Sequence, residues 1–233
     1  MSNSKLIDYL LAISFVVLFL ICIGVKFNFI QAIPTQKEHT NIIIIDPGHG
    51  GFDPGKVGID ETILEKDINL SISHILKKQL EKAGYHVIMT RTKDEGLYNE
   101  GDSNKKITDM RRRVETINES NALLAISIHQ NSFTQASSKG SQVFYHSQSE
   151  EGKLLAETIQ EQIKTELQDD NHRAAKSNNT YYMLKKTTCP IVIVECGFLS
   201  NPEEATLLTT KSYQKKMAKG ICNGILSYLE NKS

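Results

Sequence analysis

Three short apolar runs constrain this chain more than any other feature. They are "IIIIDPGHGG" at 42–51, "ALLAISIH" at 122–129 and "IVIVE" at 191–195. A continuous run of four to eight apolar, largely β-branched residues, bounded by turn residues, reads as a strand buried on both faces. Such a strand needs helices above and below it, which argues for an α/β sheet. Each run also ends at or beside an ionisable residue: His49, His129 and Glu195. If the three strands are parallel neighbours, those residues gather at one edge of the sheet, where α/β proteins place their ligands.

The remaining segments supply the helices. Over 62–83, Ile68, Ile72, Ile75, Leu76 and Leu80 make one stripe, with Lys66, His74, Lys77, Lys78 and Glu81 off it, and Gly84 ends the pattern. The spacing predicts further helices at 105–119, 151–167, 202–209 and 212–229. Strands are expected at 85–91, 141–146 and, for "TYYML", at 180–184. The expected fold is α/β: a twisted mixed sheet flanked by helices on both faces, in a single catalytic domain over 41–233.

Residues 9–25, "YLLAISFVVLFLICIGV", stand apart. A run of this length fits a membrane anchor or a long signal-peptide core. Residues 1–25 are therefore expected to form a hydrophobic signal or anchor segment, and 26–40 a polar linker. Either function carries the rest of the chain across the cytoplasmic membrane. The formal net charge of zero gives no basic stripe, so nucleic acid is not an expected partner. Of the cysteines, Cys22 lies in the apolar run. Cys189 and Cys196 bracket a strand that would hold them roughly 23 Å apart, too far to bridge. They and Cys222 are expected to be reduced and buried.

Glu65 falls in the middle of the apolar stripe. A buried carboxylate is expensive unless it is paired or bound to a metal. Thr62 and Glu65 also match a capping box, in which the glutamate bonds back to the N-cap amide. Set beside His49 and His129, the metal-ligand reading is preferred. Two histidines and a glutamate with an open fourth position is a catalytic zinc set. Glu195 is then left to act as general base on a water whose pKa zinc lowers toward about 7. The reaction class implied is amide hydrolysis.

These residues resemble a known family. "IDPGHGGFDPG", "ETILEKDINL", "ISIHQNSF" and "IVIVECGFLSNPEEATLL" are similar, in order and spacing, to the four motifs of the zinc-dependent N-acetylmuramoyl-L-alanine amidases of the AmiC/CwlV type. The resemblance covers about residues 42–229. It implies one Zn²⁺ per chain held by His49, Glu65 and His129, with Glu195 catalytic. It also implies a peptidoglycan substrate cut between the lactyl group of N-acetylmuramic acid and L-alanine. Arg91, Arg113 and Asn118 fall on further family positions, and Arg91, Asn131 and Lys185 are candidate substrate contacts. At Lys185 many relatives carry arginine; lysine keeps the charge and loses the planar fork.

Within the family the chain looks most like the germination-specific subgroup: a hydrophobic N-terminal segment, one bare catalytic domain and no wall-binding repeats. That implies work on spore cortex peptidoglycan, on the way to muramic δ-lactam, in the cortex-forming space of the developing spore. An exported accessory protein is a further expected partner, motivated by the missing wall-binding module. A vegetative wall amidase, an exported zinc peptidase and an inactive peptidoglycan-recognition module remain the alternatives; Glu195 argues against the last.

Overall fold

The computed structural model describes residues 13–19, 41–58 and 61–232. Residues 13–19 are helical. Among the described residues no helix is long and apolar enough to cross a membrane. Most of the expected N-terminal segment, and nearly all of the expected linker, lie outside the described residues.

Residues Thr40–Ser233 form a unit of their own. Its strands are β1 (Ile42–Pro47), β2 (His86–Met89), β3 (Leu124–Asn131), β4 (Gln142–Tyr145), β5 (Lys176–Ser177) and β6 (Ile191–Phe198). Its helices are α1 (Glu65–Lys82), α2 (Lys105–Glu119), α3 (Glu150–Leu167), α4 (Tyr182–Lys186), α5 (Pro202–Thr209) and α6 (Lys211–Glu230). The six strands make one sheet in the order β2-β1-β3-β6-β4-β5. β2, β1, β3 and β6 run parallel, and β4 is antiparallel to β6. The three apolar runs are thus adjacent and parallel in the middle of a mixed sheet.

Alternate residues of each central strand feed opposite faces, as the pleat requires. Ile43 and Ile45 of β1, with Ile126 and Val192, pack against Ile72 and Leu76 of α1, Ile159 of α3 and Ile221 of α6. Ile44, Ala125 and Ile193 face the other way, onto Val114 and Ile117 of α2 and Met183 and Leu184 of α4. All of these side chains are buried, so removing one, as in Leu76→Ala, costs about 2–5 kcal/mol.

Four expectations are corrected. "TYYML" is not a strand: Asn178 Oδ1 accepts from Thr180 N (2.8 Å) and Tyr181 N (3.1 Å), and that turn opens α4. The helix expected from residue 62 starts at Glu65, with Leu64 as an N-cap that supplies no side-chain bond. β3 and β6 run past His129 and Glu195, to Asn131 and Phe198, so both residues lie inside their strands. Cys189, Cys196 and Cys222 are all free thiols, but Cys189 is only half-buried.

Candidate active site

The chain turns off β1 through Gly48 and His49. Gly48 N donates to Ile128 O of β3 at 2.9 Å, which pins the turn to the neighbouring strand. His49 then takes a left-handed backbone (φ 60°), an uncommon and strained conformation for a side-chain-bearing residue. Two buried arginines hold it there. Arg113 donates to Pro47 O (2.8 Å) and His49 O (2.7 Å). Arg91 donates to Pro47 O (2.9 Å), Gly48 O (3.0 Å) and Lys66 O (2.8 Å). Gly48 is required by contact: a Cβ there would lie 2.2 Å from His129 Cε1.

Below this turn Asp46, 1 % exposed, neutralises Arg113 at 2.8 Å and accepts from Thr90 Oγ1 (2.6 Å) and Ser127 Oγ (2.7 Å). Burial opposes its charge, but Arg113 and the two hydroxyls outweigh burial and hold the carboxyl at about 2. Arg91, which lacks such a partner, is lowered to about 10 by burial and by the Arg113 charge.

Glu65 opens α1 and points under the turn, 3 % exposed. Its Oε1 lies 3.1 Å from His49 Nε2 and 3.0 Å from His129 Nδ1. Lys56 N donates to its Oε2 (2.7 Å) and Gln130 N to its Oε1 (3.0 Å). Asn69 Nδ2 reaches Oε1 at 3.4 Å and Gly48 O at 3.2 Å. Burial raises the Glu65 pKa, but the two imidazoles outweigh it and hold the carboxyl far below the usual range. On the far side of His49, Nδ1 lies 2.9 Å from Asp53 Oδ2. Burial lowers the His49 pKa, yet Asp53 and Glu65 together push it up to about 9.

Two imidazole nitrogens therefore converge on one buried carboxylate oxygen, and ligand atoms of His49, Glu65 and His129 all lie within 4.8 Å of one another. This set fits a zinc ion by its donors: two nitrogens and an oxygen. It fits by its surroundings too. Asp53 holds the outer nitrogen of His49, as supporting carboxylates do for the ligand histidines of zinc sites. Gly55 leaves the approach open, because a Cβ there would lie 2.6 Å from Glu65 Oε2.

Glu195 stands opposite His129 in the β3–β6 register. It is 8 % exposed, and its Oε2 has no hydrogen-bond partner among the described residues. Burial pushes it up to about 7, against the pull of His129 and His49. A buried carboxyl with a free oxygen and a pKa near neutrality is equipped to take and return a proton.

The structure therefore gathers His49, Glu65 and His129 and sets Glu195 beside His129 in the sheet register. The other candidates fare differently. Arg91 is 2 % exposed and donates to four backbone carbonyls, so it braces the turn. Asn131 Oδ1 accepts from Ser132 N at 2.7 Å. Lys185 is exposed on α4. Asn118 ties the loop after α4 to α2, donating to Lys186 O (3.0 Å) and accepting from Thr188 N (2.9 Å). Sequence reasoning missed Asp53, Asn69 and Gln130. Asp53 had a signal, lying four residues after His49 in the same glycine-rich turn; Asn69 and Gln130 had none.

Residues 43–227 match the Amidase_3 family, N-acetylmuramoyl-L-alanine amidase. The chain belongs to this family. It is 42 % identical over 194 residues to the germination-specific N-acetylmuramoyl-L-alanine amidase of Bacillus subtilis, covering 82 % of this chain and 81 % of that one. The CwlD amidase of Clostridioides difficile, solved in complex with the GerS lipoprotein, superposes with a TM-score of 0.79 at 41 % identity, covering 82 % of this chain and 98 % of that one. The catalytic domain of CwlV from Bacillus (Paenibacillus) polymyxa gives 0.72 at 28 % identity, over 81 % of this chain and 98 % of that domain. As an Amidase_3 member this chain is an N-acetylmuramoyl-L-alanine amidase.

Proposed function

We propose that this chain hydrolyses the amide between the lactyl group of N-acetylmuramic acid and L-alanine in spore cortex peptidoglycan, as a step toward muramic δ-lactam. The observation that carries the reading is the convergence of His49, Glu65 and His129 beside Glu195, whose Oε2 has no hydrogen-bond partner among the described residues. His49, Glu65 and His129 would hold one Zn²⁺, which supplies Lewis-acid polarisation of the amide carbonyl and of water. Glu195 takes a proton from the attacking water and delivers it to the alanine nitrogen as the C–N bond breaks. The products are a muramic residue bearing a free lactyl carboxylate and a stem peptide with a free amine. Asp53 fixes the His49 ring, and Arg91 and Arg113 fix the turn that carries it.

Residues 9–25 serve export or anchoring in this reading, which puts the catalytic unit on the outer side of the cytoplasmic membrane. An accessory exported lipoprotein is a natural partner, since the C. difficile relative was solved with one. The test is digestion of purified cortex peptidoglycan followed by mass analysis. The reading requires released peptides beginning with alanine and muramic residues stripped of peptide. Cleavage between two amino acids of the stem would replace it with a peptidase.

A further inference from the structure

β4 brings a third side chain to the row formed by His129 and Glu195. Gln142 is the register partner of Glu195 across the antiparallel β6–β4 pair, so both side chains leave the same face of the sheet. The Gln142 amide is fixed at both ends: its Nε2 donates to Ala174 O at 3.0 Å, and its Oε1 accepts from Arg173 Nη1 at 3.2 Å. The row across the sheet edge thus reads His129, Glu195, Gln142, Arg173.

Arg173 is held unusually firmly for a half-buried arginine. Nε donates to Lys139 O at 2.7 Å, and the guanidinium carbon lies 4.7 Å over the Phe198 ring. Its contacts are with neutral groups: among the described residues it forms no salt bridge. It lines an open depression of about 450 Å³, which Lys139 and His172 also border; Asp170 is the acidic residue in that wall, and it pairs with His172 at 2.9 Å. Glu204 feels the Arg173 charge, but its oxygens accept from Gly140 N and Phe198 N. A cation fixed by stacking and a carbonyl, in salt bridge with no described residue at the mouth of a depression, is preorganised for an anion.

We propose that Arg173 binds a carboxylate of the stem peptide and so sets the peptide's position over Glu195. This deepens the amidase reading and rests on it. The spacing suits the chemistry. Paired strands lie about 5 Å apart, and the Gln142 side chain, bonded directly to Arg173, spans the remaining distance. An extended peptide advances about 3.3–3.6 Å per residue. The anchored carboxylate is therefore that of an acidic residue roughly two positions beyond the cleaved bond.

The experiment compares two muramoyl-peptides, one with free stem carboxylates and one with them amidated, on the zinc-loaded full chain and on Arg173→Ala and Arg173→Lys. The native chain should favour the free acid by about 10–100-fold in kcat/KM, mainly through KM, as one charge-assisted contact provides. Arg173→Ala should lose that preference and treat both substrates alike, at the level of the native chain on the amidated one. Arg173→Lys should recover part of it. Equal loss by Arg173→Ala on both substrates would make Arg173 a clamp for β4 and Phe198 and overturn the proposal; so would an unchanged preference. A native chain that cuts neither substrate at the muramoyl bond overturns the amidase reading itself.

Discussion

His129 and Glu195 face each other in register across the parallel β3–β6 pair, one aimed at Glu65 and the other left without a partner on Oε2. One strand pair thus carries both a proposed metal ligand and the proposed proton-transfer group. Their separation is set by sheet geometry rather than by a loop, which fixes the distance between the two functions as firmly as the core fixes the strands.

The Gly48 contact gives the sharpest structural prediction. Gly48→Ala places a methyl group 2.2 Å from the His129 ring. The ring must move, so the variant should retain its far-UV spectrum yet bind zinc at least tenfold more weakly. Zinc titration by competition with a chromophoric chelator measures it. Unchanged affinity would mean that the turn yields more easily than its arginine bracing indicates.

Asp53→Asn removes the charge that orients His49 while preserving size. Supporting contacts of this kind are worth about 10–100-fold in metal affinity or activity. Zinc affinity should fall by that factor, and the fall should shrink as pH drops. Without metal, His49 is held protonated up to about 9 by Asp53 and Glu65, so zinc must displace a proton. Calorimetry in buffers of different ionisation enthalpy should record proton release on zinc binding to the native chain near pH 7, and less release with Asp53→Asn.

Asp46 links the site to stability. Its folded pKa is depressed, from 3.8 to about 2. A depressed carboxylate stabilises the fold above its unfolded pKa, and that contribution is lost as pH falls from about 4 through about 2. At 1.36 kcal/mol per unit the contribution is on the order of 2 kcal/mol. Asp46→Asn should therefore be less stable than the native chain at pH 6, with the gap narrowing as pH falls toward 2. Thermal or denaturant melts across pH 2–6 test this; a constant gap would remove Asp46 as the source.

Much of this was legible in the sequence, and the boundary is instructive. Ile42–Ile45, Leu124–Ile128 and Ile191–Val194 announced themselves because a strand buried on both faces has no polar alternation to disguise it. His49, His129 and Glu195 were visible because an ionisable residue beside such a run is costly without a purpose. Residues 180–184 misled, because five residues cannot display a helical period and Asn178 exerted its turn from outside the window. The setting of Arg91 was hidden for a different reason. A charged residue ordinarily sits in water, and only the tertiary arrangement reveals that carbonyls of Pro47, Gly48, Lys66 and Lys93 consume its donors. Gln130 was silent because its partners lie 61 and 65 residues away, and Asn69 because its shorter bond, to Gly48 O, crosses 21 residues.

Glu195 predicts the acid limb of the pH–rate profile. As a base it must be ionised, so kcat/KM should fall as pH drops through its pKa. Burial places that value at about 7 without metal, and a nearby cation draws it lower. The midpoint is expected below 7, and Glu195→Gln should abolish this limb in whatever activity remains. A profile whose acid limb survives the substitution would assign the proton transfer to another group.

The assignment of roles is tested most directly by zinc stoichiometry measured on purified Glu65→Gln and Glu195→Gln, alongside wall hydrolysis. Glu65 touches both histidines and should be needed to hold the ion, so Glu65→Gln should lose most of its zinc. Glu195 lies outside that cluster. Glu195→Gln should keep close to one zinc per chain while its rate falls by about 10²–10⁴-fold. Zinc lost from Glu195→Gln and retained by Glu65→Gln would contradict the account, exchanging ligand and base.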